Sequence, residues 1–277
     1  MNPTMLDDNL LLEYMNRFYG YGNLQSTCWF IGMEEGSSGT VQEIIHRLHH
    51  WQKRGKMSVE DVALYHQQFG IDRFFGTNAR LQPTWNKLIR IYLSLQGQKP
   101  TTEMVRQFQV RSFGRHSSDN CILELLPLPS KSITTWIYAN HSQIPELQTR
   151  DSYHNLWMPK RAHILRELIL QYKPHCVIFY SVNPIYQYWW KQIANIADQW
   201  SHREGVQVAT NTNTTFAITK HPVTKGISSE YFHSIGRIIR EYHSWLTGIM
   251  DSPQEDISHT PERSAQTQIN DNYKPPV

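Results

Sequence analysis

Two adjacent carboxylates, Glu34 and Glu35, follow an apolar run at residues 27–33 in the stretch "CWFIGMEEGSSGT". Like charges side by side repel, and neither glutamate is placed to cap the helix that follows, so this placement costs stability unless a site uses it. Gly32 and Gly36 bound the pair and predict a turn that brings the backbone close to a ligand. Glycine-rich turns also occur for packing alone, so the functional interpretation depends on the carboxylates.

A histidine follows the last apolar run of the chain. His221 comes after residues 214–220, and Pro222 and Lys225 follow it. A histidine at a strand end is more often structural than catalytic. Considered together with the carboxylates of the first turn, His221 becomes a candidate electrophile or anion stabiliser, and Lys225 a candidate phosphate contact.

Segments rich in β-branched and aromatic residues predict four strands, at residues 27–33, 121–127, 175–181 and 214–220. Helical patterns lie between and after them, at residues 41–54, 83–96, 159–173, 184–200 and 228–246. Pro83 and Pro159 are placed as helix starts, and Ser228 or Ser229 can cap the last helix. The region from 54 to 120 is a long, mostly helical excursion between the first two strands.

This alternation predicts an α/β fold in three layers, with a parallel sheet covered by helices on both faces. Ligands of such sheets bind beyond the carboxyl ends of the strands. The loops that follow the four strands should therefore meet at one edge, which we call the rim: residues 32–39, 126–132, 181–184 and 221–226. Glu34 and His221 would both lie there.

Composition predicts a single domain at residues 1–250 and a disordered polar tail at residues 251–277, which has hardly any large apolar residue,. The formal net charge is +3, and the tail is acidic, so residues 1–250 carry a mild positive excess that suits a protein meeting phosphate,. No apolar run is long enough to span a membrane and no signal peptide is evident, which favours a cytoplasmic protein. Cys28, Cys121 and Cys176 lie in apolar runs and are expected to be buried thiols.

The turn and the histidine together resemble two motifs of the uracil-DNA glycosylase superfamily. In that family a first motif, Gly-x-x-Pro-Gly or Gly-Gln-Asp-Pro-Tyr, follows strand one, and a second motif beginning His-Pro-Ser follows the last strand. Here "GMEEG" (32–36) is similar to the first and "HPVTKG" (221–226) to the second. "ELLPLP" (124–129) resembles the segment that carries the family's base-reading residue at strand two.

The resemblance covers roughly residues 25–245 and implies a short, four-stranded parallel sheet. It also implies hydrolysis of the N-glycosidic bond of a damaged or deaminated base in DNA, single-stranded or mismatched, by a monomer without a metal or other cofactor. Glu34 falls where members carry the residue that positions the attacking water, and a carboxylate there would also stabilise the sugar cation. His221 matches the histidine that stabilises the departing base. Gly36 would keep the turn open for the base.

The sequence departs from the family pattern at three positions. Glu35 replaces a proline, Val223 replaces the serine after His-Pro, and Glu124 stands where many members have an asparagine that reads uracil. An ionised carboxylate only accepts hydrogen bonds, so Glu124 would suit an edge with two donors, as in guanine, better than uracil. The alternative is that Glu124 pairs with an arginine or lysine at the rim.

The resemblance implies further contacts to the base and its phosphates. The expected substrate-binding residues are Gly32, Met33, Glu35, Gly36, Phe113, Glu124, Pro222 and Lys225. Extruding a base costs energy that an aromatic side chain recovers by stacking, and the candidates are Phe74, Phe75 and Phe113. The candidates for phosphate contacts are Arg111, Arg115, His116, Lys131 and Lys225.

Two other classes of function compete with a glycosylase. One is a non-catalytic module that binds a nucleic acid or a nucleotide on the same fold, with turnover lost through the altered first motif. The other is a metal-dependent hydrolase with Glu34, Glu35 and His221 as ligands, which needs further oxygen or imidazole ligands within about 2.0–2.6 Å of the metal. The positions of Glu34 and His221 relative to one pocket discriminate between these hypotheses.

Overall fold

A single eight-stranded sheet forms the centre of the computed structural model, which describes residues 4–246 apart from 77, 133 and 197–198. The strands are β1 (Gly20–Gly22), β2 (Cys28–Gly36), β3 (Val59–Glu60), β4 (Asn120–Ser130), β5 (Cys176–Phe179), β6 (Ser201–Arg203), β7 (Val206–Thr210) and β8 (Thr215–Ile218). Their order across the sheet is β3-β1-β4-β2-β5-β8-β7-β6. The predicted α/β class is therefore confirmed.

The four strands predicted from sequence are β2, β4, β5 and β8, and they lie side by side and parallel to one another. The prediction of a sheet with only four parallel strands is wrong, because other strands extend both edges. On one side β1 pairs antiparallel with β4, and β3 pairs with β1. On the other side β7 pairs antiparallel with β8, and β6 with β7. The sheet is therefore mixed.

Nine α-helices are assigned within the described residues: α1 (Asp8–Arg17), α2 (Val41–Lys53), α3 (Val62–Gln68), α4 (Pro83–Leu95), α5 (Thr102–Arg111), α6 (Tyr138–His141), α7 (Arg150–Tyr172), α8 (Pro184–Ala194) and α9 (Ser229–Leu246). Ser228 caps α9 as expected, because its hydroxyl accepts the Tyr231 N–H,. Single 3₁₀ turns lie at Asp72–Phe74 and Pro145–Leu147. In the described part of the chain, no helix is both long and apolar enough to cross a membrane.

Three predicted boundaries are wrong. β2 does not turn at Gly32 but continues to Gly36, because the long β4 offers it pairing partners beyond a register shift at the glutamates,. α7 starts nine residues before Pro159, at Arg150, where the Thr149 hydroxyl caps it by accepting the Ser152 N–H at 3.0 Å. α8 ends at Ala194, because the next residue adopts a left-handed conformation that closes the helix,.

The two faces of the sheet bury separate apolar clusters. Along β2, Trp29 and Ile31 face a cluster formed with α1, α2, α7 and α8, whereas Cys28 and Phe30 face a cluster formed with α4, α5 and α9. This alternation follows from the two-residue period of a strand, and it places helices on both faces. The three cysteines are buried and free, as expected. The prediction of a disordered tail at 251–277 lies outside the described residues.

Candidate functional site

Four residues meet at the rim, and each lies in one of the four parallel strands or within three residues of its end. We call Gly32, Glu124, Tyr180 and His221 the rim cluster. Gly32 of β2 is paired in register with Glu124 of β4. Tyr180 directly follows β5, and the centre of its ring lies 5.8 Å from that of His221. All of these except Tyr180 are candidate site residues in the sequence; Tyr180 lies inside the predicted third strand, 175–181.

Gly32 gives the other members of the cluster their space. A Cβ atom at this position would overlap the Tyr180 hydroxyl and the Oε2 atom of Glu124. Gly32 is thus required for close packing, but the groups that occupy the space above it are Tyr180 and Glu124 rather than a ligand. Gly36 is exposed, and a Cβ there would meet no described atom within 4 Å.

Glu124 is half-buried and has one hydrogen-bonding partner for its carboxyl group. The Tyr180 hydroxyl donates to Oε1 at 3.0 Å, whereas the buried Oε2 has no hydrogen-bond partner among the described residues. The pKa of Glu124 is raised to about 8, mainly by burial and also by the charges of Glu35 and Glu34, whereas the Tyr180 hydrogen bond and the charge of Arg161 lower it,. A pKa of about 8 favours the neutral acid at pH 7, whereas the preference for a base edge with two donors assumes an ionised carboxylate.

The backbone around Glu124 is held by an arginine that the sequence did not single out. Arg161 of α7 is fully buried and donates to the carbonyl oxygens of Glu124 at 2.9 Å, Phe18 at 3.0 Å and Leu125 at 3.2 Å. Burial lowers its pKa to about 10. No described arginine or lysine forms an ion pair with the Glu124 carboxyl group, so the alternative that Glu124 pairs with a rim cation is wrong.

Glu34 lies at the rim and forms an ion pair with Arg150, the first residue of α7. Arg150 is itself fixed, because it donates to the Ser130 hydroxyl and the Ser132 carbonyl, each at 2.9 Å. The second carboxylate oxygen of Glu34, Oε2, is buried without a hydrogen-bond partner in the described structure. Burial raises the pKa of Glu34, and Arg150 opposes this shift. One carboxylate oxygen of Glu34 is therefore both shielded from solvent and unpaired within the described residues.

Glu35 is directed to different partners. Its carboxylate accepts the Tyr21 hydroxyl at 2.9 Å and forms an ion pair with Arg47 of α2 at 2.5 Å. Glu35 therefore connects the end of β2 to β1 and α2. It stands where the family has a proline, and its role in this structure is structural. Because Glu34 and Glu35 engage different arginines, they do not form the joint metal site of the hydrolase hypothesis. Within the described residues no group of three or more His, Cys, Asp or Glu could hold a metal ion.

His221 is half-buried beside Tyr180, and burial lowers its pKa, so the imidazole is neutral at pH 7. Its Nδ1 atom accepts the Val223 N–H at 3.4 Å, which places the ring proton on Nε2,. The loop is closed by the Thr224 N–H, which donates to the His221 carbonyl at 2.9 Å. Pro222 is buried, while Val223 and Lys225 are exposed. His221 therefore offers one N–H donor.

Several predicted contact residues lie elsewhere. Phe113 is fully buried and packs on Phe30 and Trp85, so it cannot stack on a base at the rim. Met33 packs against the core on the Trp29 face. Phe74 and Phe75 pack against Trp85, and Arg115 forms an ion pair with Asp61. Arg111 lines a cavity of about 510 Å³ between α4 and α5. That cavity contains no carboxylate.

Comparison with known proteins adds no relative to this picture. No protein-family model matches the chain, and no curated protein matches it. The fold and the rim cluster define an α/β protein with a mixed sheet and a polar cluster at the carboxyl ends of its parallel strands. A more particular assignment is a matter of proposal.

The fit around Gly32 gives a first prediction. Gly32→Ala is expected to lower the free energy of unfolding by about 1–3 kcal/mol, because the new methyl group must displace Tyr180 and Glu124,. The fold should survive, since the displaced atoms are the ends of side chains. Urea unfolding measures the change. Gly36→Ala is the matched control and should change stability by less than about 0.5 kcal/mol; equal losses in the two variants would contradict the close packing.

The raised pKa of Glu124 gives a second prediction. Between the ordinary glutamate value of 4.5 and about 8, the folded protein holds a proton that the unfolded chain has lost, so this residue makes stability fall as pH rises,. Glu124→Gln removes that dependence. Between the two pH limits, the stability of the wild type relative to this variant should fall by up to about 5 kcal/mol in urea titrations. Parallel pH profiles of the two proteins would contradict a neutral Glu124.

Proposed function

We propose that the chain is a divergent uracil-DNA glycosylase-like protein that hydrolyses the N-glycosidic bond of a damaged or deaminated base in DNA. The observation that carries the proposal is the position at one rim of Glu34 and His221: within the described residues, one Glu34 carboxylate oxygen has no hydrogen-bond partner, and the neutral His221 ring has an N–H for which no acceptor is seen. Breaking a glycosidic bond needs these two groups on opposite sides of the bond. The four parallel strands support the same assignment, with the first motif in the last residues of β2 and the second in the loop after β8.

Glu34 acts on the sugar side of the bond. Its free Oε2 accepts a hydrogen bond from water and directs the water at the anomeric carbon,. Its negative charge stabilises the oxocarbenium-like sugar as the bond breaks. Because burial raises the pKa of Glu34, the ion pair with Arg150 serves to keep the carboxylate ionised.

His221 acts on the base side. The neutral ring donates its Nε2 proton in a hydrogen bond to an oxygen of the departing base, where negative charge develops,. No metal is needed in this scheme. Lys225 and the mild positive excess of residues 1–250 favour contact with DNA phosphates,. We propose that the protein acts in the cytoplasm as a monomer on single-stranded or mismatched DNA.

One observation favours a second candidate, a nucleic-acid or nucleotide binding module without turnover. The Tyr180 side chain is 4% exposed and lies directly over Gly32, where a base would approach the backbone. A glycosylase must move this side chain before each turnover. A module that has lost catalysis has no such requirement.

Base release from oligonucleotides distinguishes the two candidates. The panel carries uracil, hypoxanthine, xanthine or a mismatch, in single and double strands, and is treated with wild type and His221→Ala. His163→Ala, which changes an exposed histidine of α7, is the matched control. We expect release by wild type and His163→Ala and a large loss in His221→Ala. Binding without release across the panel would reject the glycosylase in favour of the binding module.

A further inference from the structure

Three carboxylates lie near the rim, but only two of them form ion pairs with an arginine. Glu34 is paired with Arg150, and Glu35 with Arg47. The Glu124 carboxyl group forms no ion pair within the described residues, because the neighbouring Arg161 directs its guanidinium to backbone carbonyls. A third negative charge near two other carboxylates, in a largely buried setting and without a hydrogen-bonded cation, is unfavourable, so the Glu124 carboxyl group is the one that the structure favours as neutral.

The contacts that Glu124 makes with each neighbouring element are consistent with a proton on its Oε2 atom. Tyr180 donates to Oε1, which is then the carbonyl oxygen of the acid. Arg161 directs its donors to backbone carbonyls, including that of Glu124, rather than to the carboxyl group. Of the nearby charges, Glu35 and Glu34 favour the neutral acid and Arg161 opposes them, while the neighbouring imidazole of His221 is neutral. Oε2 is left as a hydroxyl without a described acceptor.

We infer that Glu124 binds its ligand as a neutral acid and recognises a lactam edge, an oxo group beside an N–H, as in uracil or hypoxanthine. The Oε2 hydroxyl donates to the oxo group, and Oε1 accepts the ring N–H. This inference rests on the proposed function of the rim and names the kind of base that it takes. It replaces the sequence-based expectation of an edge with two donors, which assumed an ionised Glu124.

The ligand reaches Glu124 when the Tyr180 side chain turns away from Gly32. Tyr180 lies one residue beyond β5, and its backbone N–H donates to the Ile31 carbonyl at 3.2 Å. Rotation of the side chain leaves that bond in place, so opening needs no change in the sheet. When the side chain rotates, Tyr180 loses its hydrogen bond to Glu124 and its ring contact with His221. The ligand's own N–H replaces the Tyr180 hydroxyl as the donor to Oε1.

Protonation of Glu124 then decides which base edge is preferred. The neutral acid has one donor and one acceptor, which complements the N3–H and O4 of uracil. The ionised form has acceptors only and complements the N1–H and amino group of guanine. Glutamine at this position keeps one donor and one acceptor at every pH. The preference for uracil over guanine should therefore depend on pH in the wild type and not in Glu124→Gln.

Binding is measured by fluorescence anisotropy with single-stranded oligonucleotides that carry one central 2′-fluoro-deoxyuridine or 2′-fluoro-deoxyguanosine. The fluorine slows loss of the base, so binding is read without turnover. Between about pH 6 and about pH 9 the preference of the wild type for uracil should fall about tenfold, as the neutral fraction of Glu124 falls,. Glu124→Gln controls for titration of the bases themselves. A preference that does not change with pH in the wild type, or no binding of either probe, would overturn the inference.

A second readout does not depend on nucleic acid. In a ¹³C NMR titration, the side-chain carboxyl signal that is missing from Glu124→Gln should titrate near pH 8 in the wild type. A midpoint near the ordinary value of 4.5 would overturn the inference even if bases are released. A high midpoint with pH-dependent preference for uracil, but no base release, would uphold the inference and reject the glycosylase chemistry. The two proposals therefore fail separately.

Discussion

Glu34→Gln is expected to slow base release by about 10²- to 10³-fold while leaving oligonucleotide binding nearly unchanged. Glutamine keeps the shape of the side chain and an oxygen for Arg150, but it removes the charge that stabilises the sugar cation. The interaction that is lost exists only in the transition state, so the loss falls on the rate of the chemical step. Single-turnover release with saturating enzyme measures that rate.

Glu35→Gln is the matched control, since it makes the same chemical change at the neighbouring residue. The Glu35 carboxylate contacts Tyr21 and Arg47, so it does not reach the sugar. Its substitution should cost less than about tenfold in the same assay, where the enzyme remains folded. Equal losses in the two variants would show that the charge acts at a distance and would remove the specific role of Glu34.

Arg47→Met is expected to lower the free energy of unfolding by about 3–5 kcal/mol. Arg47 is buried and forms ion pairs with Glu35 and Glu43, and its guanidinium lies over the ring of Tyr65. Methionine replaces much of the apolar contact of the side chain. What remains is a partly buried Glu35 without its cation, and this uncompensated charge causes the loss. Urea unfolding at pH 7 provides the measurement.

The double variant Glu35→Gln/Arg47→Met separates loss of charge pairing from loss of packing. If the uncompensated carboxylate causes the instability, removing it should restore a large part of the stability, with a coupling of about 1–3 kcal/mol in the double-mutant cycle. Strictly additive losses would mean that Arg47 stabilises the fold through packing and its other contacts alone. In that case the end of β2 is not held through Glu35.

The sequence predicts the centre of the fold better than its edges. β2, β4, β5 and β8 are continuous apolar runs, because both faces of a central parallel strand are buried,. β1 and β3 are only three and two residues long, and β1 reads Gly-Tyr-Gly, so no periodicity marks them. Their place in the sheet comes from the pairing of β1 with β4 and of β3 with β1, which are long-range interactions that local patterns do not contain.

The candidate site, like the fold, was predictable from the sequence only in part. Strand-end position was enough to bring Glu34 and His221 to one rim, but the partners that set their properties come from distant segments. Arg150 lies 116 residues from Glu34, before the proline that was expected to start its helix. In the sequence, nothing distinguishes Arg161 from a surface arginine of a helix, although it is fully buried in the structure. The charge state of Glu124 depends on burial and on Tyr180, and neither is visible in the sequence around it.

The most direct test of the account is the mass of a single-stranded oligonucleotide with one uracil after incubation with the wild-type protein. If the rim is a glycosylase site, the strand loses the mass of the base with its backbone intact, free uracil appears in equal amount, and Glu34→Gln yields neither product within the same time. An oligonucleotide that binds the protein and keeps its full mass would contradict the central claim.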